Sequence, residues 1–229
     1  MKEVILKVSN LNVELDGDKI IKNLSVDIEK GDIWVILGPN GAGKTVFLRT
    51  LLGVLPYKGK IEWKKKVKIG YVPQRLPMIK ELPINVREFF ELKKVKHKEI
   101  IVILNSVGMK EDILRKKMGD LSFGQFQRIL IAWGLVDNPD VLLFDEPFAG
   151  VDVSGTESIY DLLERLHKER NLTILLVSHD LNIVYKFAKN VLCINKKQIC
   201  YGKPKKVLNP KMLTELYGGG IKFYSHEHD

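Results

Sequence analysis

The chain has 229 residues, 45% of them hydrophobic and 28% charged, with a formal net charge of +9. This is ordinary globular composition, long enough to bury a sizeable core in one large domain or in one domain with an inserted lobe. It excludes a spanning helix, since wholly apolar stretches such as Ile129–Val136 fall far short of the ~20 residues required. Met1-Lys2-Glu3 leads into no apolar leader, so no secretory signal is expected. Lysine runs such as Lys64-Lys65-Lys66 and Lys93-Lys94 come without an RNA-binding aromatic motif and read as solvated surface, so no nucleic acid partner is expected.

Val4–Leu15 alternates apolar and polar residues, the period of a half-buried strand. Asp16-Gly17-Asp18 is a turn signal, and Ile20–Ile28 starts a second strand, so the chain opens as antiparallel hairpin material. Ile33–Leu37 is a short, continuous apolar run, as in a fully buried parallel strand, and ends at Gly38. Thr45–Leu55 then reads as a helix. Strands are expected at Gly59–Trp63 and Val67–Val72, a loop from Pro73 to Pro83, and helices at Asn85–Leu92 and Glu99–Val107. Asp120-Leu121-Ser122 opens a long helix to about Val136. Val141–Phe144 and Thr173–Val177 are buried strands, separated by a helix over Ser154–Glu169. Leu181–Ala188 is helical, Val191–Ile194 and Gln198–Tyr201 form a hairpin, and Lys211–Tyr217 is a short helix. Cys193 and Cys200 lie on that hairpin and read as two buried thiols, not as a disulfide. Buried strands alternating with helices predict a parallel α/β core, to which the antiparallel start and the helix-rich middle are added.

Gly38-Pro39-Asn40-Gly41-Ala42-Gly43-Lys44-Thr45 fits G-x-x-x-x-G-K-[ST], between a predicted strand and a predicted helix. Glycines let the backbone wrap a phosphate chain with its N–H groups inward, and the helix N-terminus attracts the same anion. Lys44 is expected on the β/γ-phosphates of ATP and the Thr45 hydroxyl on Mg²⁺. Val141–Phe144 ends in Asp145-Glu146, at the carboxyl end of a strand, where open parallel sheets bind ligands. Asp145 is expected near the Mg²⁺ and Glu146 as the base that polarises water. Thr173–Val177 ends at Ser178-His179-Asp180, which sets His179 to contact the γ-phosphate. Gln74, after Val72-Pro73, is expected to reach the Mg²⁺ or the attacking water.

Leu121-Ser122-Phe123-Gly124-Gln125 resembles the Leu-Ser-Gly-Gly-Gln signature of the ABC (ATP-binding cassette) ATPases. The order of phosphate loop, Gln74, signature, Asp145-Glu146, Ala149-Gly150-Val151-Asp152 and His179 is similar to theirs along nearly the whole chain. The resemblance implies the P-loop ABC ATPase fold: a parallel-sheet core, an N-terminal antiparallel β subdomain and an inserted helical subdomain. It implies a single domain over 1–229, with 1–73 carrying the antiparallel part and the phosphate loop, 74–135 the helical insertion, 136–217 the rest of the core and 218–229 a tail. It further implies a head-to-tail homodimer with each ATP between Lys44 of one copy and Ser122, Gly124 and Gln125 of the other. Asp152 would reach across that interface. The implied partners are permease subunits in the membrane and, indirectly, an extracytoplasmic solute-binding protein, with the chain peripheral on the cytoplasmic face.

Three positions depart from the family pattern. Phe123 replaces the first glycine of the signature pair, Val46 replaces a second hydroxyl residue after the loop, and Leu15 aligns with the aromatic that stacks on adenine. Val177–Val184 and Asn195–Pro204 resemble the ATPases of zinc- and manganese-type importers, which implies a divalent metal ion as cargo. An importer of another small solute, or a non-transport ABC ATPase acting on nucleic acid or ribosomes, is the alternative. His226, Glu227, His228 and Asp229 are metal-ligand types, with a disordered terminus as the plainer reading. Phe89 and Phe90 read equally as permease contacts or as core.

Overall fold

The structure is a computed structural model, described over residues 3–73, 83–146 and 153–218, with side chains from residue 159 onward in the last stretch. The chain divides into two units, Met1–Lys64 with Leu176–Asp229, and Lys65–Leu175.

In the first unit, β1 (Val4–Leu15) and β2 (Asp18–Glu29) pair antiparallel around Asp16-Gly17. Both turn residues have positive φ, 52° and 84°, the geometry that matches the twist of a two-residue hairpin. The expected alternation holds from Leu6 to Glu14, with Leu6, Val8, Leu11 and Val13 buried and Lys7, Asn12 and Glu14 exposed, whereas Val4 is exposed, Ile5 buried and Leu15 half-buried. β3 (Ile33–Leu37) has the expected bounds and is buried at every residue. α1 (Lys44–Leu51) buries Phe47, Leu48 and Leu51. It stops short of Leu55 because Gly53 turns left-handed at φ 72°, closing its N–H onto Thr50 O at 2.9 Å. β4 (Lys58–Trp63) adds to β1, and the Trp63 indole donates to Leu51 O at 3.1 Å. β8 (Asn190–Asn195) runs parallel to β3 and antiparallel to β9 (Lys197–Gly202), giving the order β4-β1-β2-β9-β8-β3. α6 (Leu181–Phe187) lies against β3. Two short helices, α7 (Pro204–Val207) and α8 (Pro210–Tyr217), pack on the β8–β9 hairpin. At the start of β3 the buried Asp32 carboxylate accepts from Lys189 Nζ at 2.8 Å and Asn190 Nδ2 at 3.0 Å, anchoring β8 beside it.

The cysteines correct the thiol expectation: Cys193 and Cys200 form a disulfide with Cα atoms 4.9 Å apart. They face each other directly across β8 and β9, within the separation a disulfide spans. The sequence spacing showed a hairpin but not the register that brings these two side chains opposite.

In the second unit, β5 (Ile69–Val72) and β6 (Val141–Phe144) pair in parallel, Val72 beside Phe144, and β7 (Thr173–Ser178) lies next to β6. The division between the units falls inside β7. α4 (Phe123–Leu135) packs on β5 so closely that a Cβ on Gly70 would sit 2.2 Å from Gly134 O. α2 (Val86–Glu91) starts with an Asn85–Glu88 capping box, α3 (His97–Ser106) follows, and two 3₁₀ turns at Glu111–Arg115 and Met118–Asp120 precede α4. α5 (Val153–Arg170) precedes β7. Phe89 and Phe90 are buried, and Phe89 stacks on Trp133 at 4.2 Å, so their side chains belong to the helical core. Among the described residues no helix is long and apolar enough to cross a membrane.

Candidate active site

The phosphate loop occupies the carboxyl end of β3. Gly38 passes so close to β8 that a Cβ there would lie 2.1 Å from Ile194 O, so the first loop position admits no side chain. Gly41 and Gly43 have φ of 75° and 98°, a backbone region that costs other residues energy. Pro39 is half-buried, Asn40 exposed and Ala42 buried, with Ala42 O accepting from Lys196 N at 3.0 Å on the β8–β9 turn. Gly43 is the N-cap of α1 and makes no side-chain cap, so α1 begins directly at the end of the loop. Lys44 is buried, and its ammonium donates to Gly38 O and Pro39 O, both at 2.9 Å, so its charge bridges the loop's own carbonyls. Thr45 and Val46 follow on the first turn, half-buried.

His179, also in the first unit, is exposed just beyond β7. Its neighbours are tied down. Asp180 N–H donates to Ser178 Oγ at 3.1 Å, and the Asp180 carboxylate caps α6 by accepting from Asn182 N–H at 2.8 Å. Leu15 is half-buried at the end of β1.

In the second unit Asp145 is buried at the end of β6 and accepts from the Tyr71 hydroxyl at 3.3 Å. Tyr71 is a partner that sequence reading missed. It is set by the β5–β6 register, which no local pattern announces. Glu146 follows with φ 45°, a left-handed conformation that costs a non-glycine residue about 1–3 kcal/mol and clusters at functional sites. The Thr45 hydroxyl in the first unit and the buried Asp145 carboxylate in the second are each the kind of oxygen that Mg²⁺ takes. Among the described residues no cluster of three or more His, Cys, Asp or Glu side chains could hold a metal by itself.

Ser122 is the N-cap of α4, so the helix proper begins at Phe123, at the end of the expected opening Asp120-Leu121-Ser122. Its Oγ accepts from Gln125 N–H, and Gln125 Oε1 accepts from Ser122 N–H, both at 3.2 Å. The capping box presents an ordered helix start in which Ser122, Phe123 and Gly124 are all exposed. Phe123 is 37% exposed. A Cβ on Gly124 would meet no atom within 4 Å. The chain's own packing therefore gives no reason for glycine, a poor helix former, at that position. Gln74, Ala149, Gly150, Val151, Asp152 and the tail residues His226, Glu227, His228 and Asp229 lie outside the described residues.

A phosphate loop between a buried strand and a helix, with a buried carboxylate closing a second parallel strand, defines an ATP-hydrolysing phosphate-loop protein. The model of the ABC transporter family matches residues 21–149. A Thermotoga maritima protein named "Probable metal transport system ATP-binding protein" is 39% identical, over 93% of this chain and 90% of its own length. The zinc import ATP-binding protein ZnuC of Vibrio parahaemolyticus is 37% identical, over 97% and 87%. Among solved structures, cbiO1 from Clostridium perfringens, part of the ABC transporter complex cbiONQ, matches with a TM-score of 0.79 and 31% identity, covering 93% of this chain and 94% of that one. The chain belongs to the ABC transporter family, as one of its ATP-binding, ATP-hydrolysing subunits.

Proposed function

We propose that the chain hydrolyses ATP to energise the import of a divalent metal ion, zinc or manganese, through a membrane permease. The similarity to metal-transport and zinc-import ATP-binding proteins, over almost the full length of this chain, carries the reading. The chain would form one ATPase domain over 1–229, with 74–135 as its helical insertion and 218–229 as a tail. It would sit on the cytoplasmic face of the membrane against the permease, which an extracytoplasmic solute-binding protein would supply.

In this account Gly38 to Thr45 cradle the phosphates of ATP. The Lys44 ammonium exchanges loop carbonyls for phosphate oxygens, which favours binding because the charge is already buried and aimed at the loop. Thr45, Asp145 and Gln74 would hold Mg²⁺, which when bound neutralises charge on the β- and γ-phosphate oxygens. Glu146 takes a proton from the attacking water, and His179 steadies the γ-phosphate. Ser122, Gly124 and Gln125 of a second copy would close over the nucleotide, with Asp152 at the interface. The exposed helix start and the unexplained glycine at 124 support a surface meant for a ligand from outside the chain. The test is Glu146→Gln: ATP turnover should fall by about 10²–10⁴-fold while ATP still binds and draws two copies together. Undiminished turnover in that variant would remove Glu146 from the chemistry.

A further inference from the structure

α8 is held at both ends. Asn209 accepts from Met212 N–H at 3.0 Å at its start, with Pro210 in the first turn. At its end the Asn195 side-chain amide, on β8, donates to Leu216 O at 2.9 Å, and Lys197 pairs with Glu215 at 3.3 Å. Leu213 and Leu216 are buried beneath. A short helix fixed in this way delivers its last side chain to one place, and the Tyr217 hydroxyl there donates to the carbonyl of His179 at 3.4 Å.

We propose that Tyr217 is a positioning residue for His179, its hydroxyl fixing the peptide from which the imidazole is aimed at the γ-phosphate. Three hydrogen bonds among the described residues tie the loop Ser178-His179-Asp180. Ser178 Oγ holds the Asp180 N–H, the Asp180 carboxylate holds the start of α6, and Tyr217 holds the His179 carbonyl between them. The first two fix the residues on either side, and the third acts on the His179 peptide from outside the loop's own segment. Burial, with the Asp180 carboxylate adding to it, pushes the Tyr217 hydroxyl up to about 12, so it stays a proton donor throughout the working range. The β8–β9 hairpin that anchors α8 also carries Lys196, whose N–H holds Ala42 of the phosphate loop. One hairpin thereby sets both the loop that takes the phosphates and the helix that aims His179.

The inference rests on the role given to His179 above, and a double-mutant cycle separates the two. Full-length wild type, Tyr217→Phe, His179→Ala and the double variant are compared for kcat, KM for ATP and thermal midpoint. Tyr217→Phe keeps the ring and loses only the hydroxyl. Its kcat should fall about fivefold, the weight of one hydrogen bond, with KM for ATP and the thermal midpoint little changed. On the His179→Ala background the same change should cost nothing further. An unchanged kcat in Tyr217→Phe, or an equal loss on both backgrounds, would overturn the positioning role while leaving His179 in place. Full turnover in His179→Ala alone would overturn the reading of His179, and this inference with it.

Discussion

Gly38→Ala tests whether the close approach of β3 to β8 sets the phosphate loop. The added Cβ would lie 2.1 Å from Ile194 O and 3.1 Å from the Ala42 Cβ. A carbon–oxygen contact settles near ~3.3 Å, so something must move by about 1 Å. Ile194 has little freedom: β8 is bonded to β3 on one side, with Leu37 beside Cys193, and to β9 on the other, with Ile194 opposite Gln198. Ala42 is tethered through its carbonyl to Lys196 N–H at 3.0 Å. Overpacking of this kind costs about 1–3 kcal/mol, which lowers the melting midpoint of a chain this long by about 2–12 °C. If the loop yields instead of the sheet, its N–H groups shift by about 1 Å and turnover falls on the order of 100-fold. Thermal unfolding, binding of a non-hydrolysable ATP analogue and steady-state ATPase activity read these effects separately. A variant with the wild-type midpoint, analogue affinity and turnover would refute the reasoning.

Gly124→Ala should behave in the opposite way, because a Cβ there meets nothing within 4 Å. The isolated chain should gain about 0.5–1 kcal/mol from better helix propensity, while turnover drops on the order of 100-fold if a second copy's nucleotide abuts that backbone; full turnover would contradict the pairing. Cys200→Ser opens a disulfide that closes a loop of sequence separation 7. Its midpoint should fall by an amount corresponding to about 2.5 kcal/mol under non-reducing conditions, and no difference between the proteins should remain after wild type is fully reduced. Tyr217, whose hydroxyl is raised from 10.0 to about 12, binds its proton more tightly when folded. Its contribution is whole below about pH 10 and is lost as pH climbs toward 12, so wild type, close in stability to Tyr217→Phe at neutral pH, should lose stability relative to it across that window. A difference independent of pH from 9 to 12 would show the hydroxyl to be solvated like an ordinary tyrosine.

Much of the fold could be read from local pattern. β1, β3 and β6 have the expected bounds because an alternating or continuous apolar run, stopped by Asp, Gly or a carboxylate pair, admits one periodicity. Contacts set by register could not be read in this way. Cys193 faces Cys200 only because β8 and β9 pair in one alignment, with a shift in register at Cys193/Ile194. Tyr71 reaches Asp145 only through the parallel pairing of β5 with β6, and Tyr217 reaches His179 only through the seating of α8 on the hairpin. Phe89 and Phe90 sit on a six-residue helix whose periodicity cannot say which face is covered, and Trp133, forty-four residues after Phe89, decides it. In the site, the phosphate loop and the Asp145-Glu146 pair were visible as motifs, whereas the left-handed backbone of Glu146 and the Ser122–Gln125 capping box are properties of the folded chain.

Whether ATP hydrolysis here drives divalent metal import is read from cellular metal content. Zinc and manganese are measured in cells carrying the wild-type chain and in cells carrying Glu146→Gln, both grown in metal-poor medium. The Glu146→Gln cells should lose one of the two metals selectively, which also names the cargo. Unchanged zinc and manganese in those cells, with purified wild-type protein still turning over ATP, would contradict metal import and leave an ABC ATPase serving some other solute.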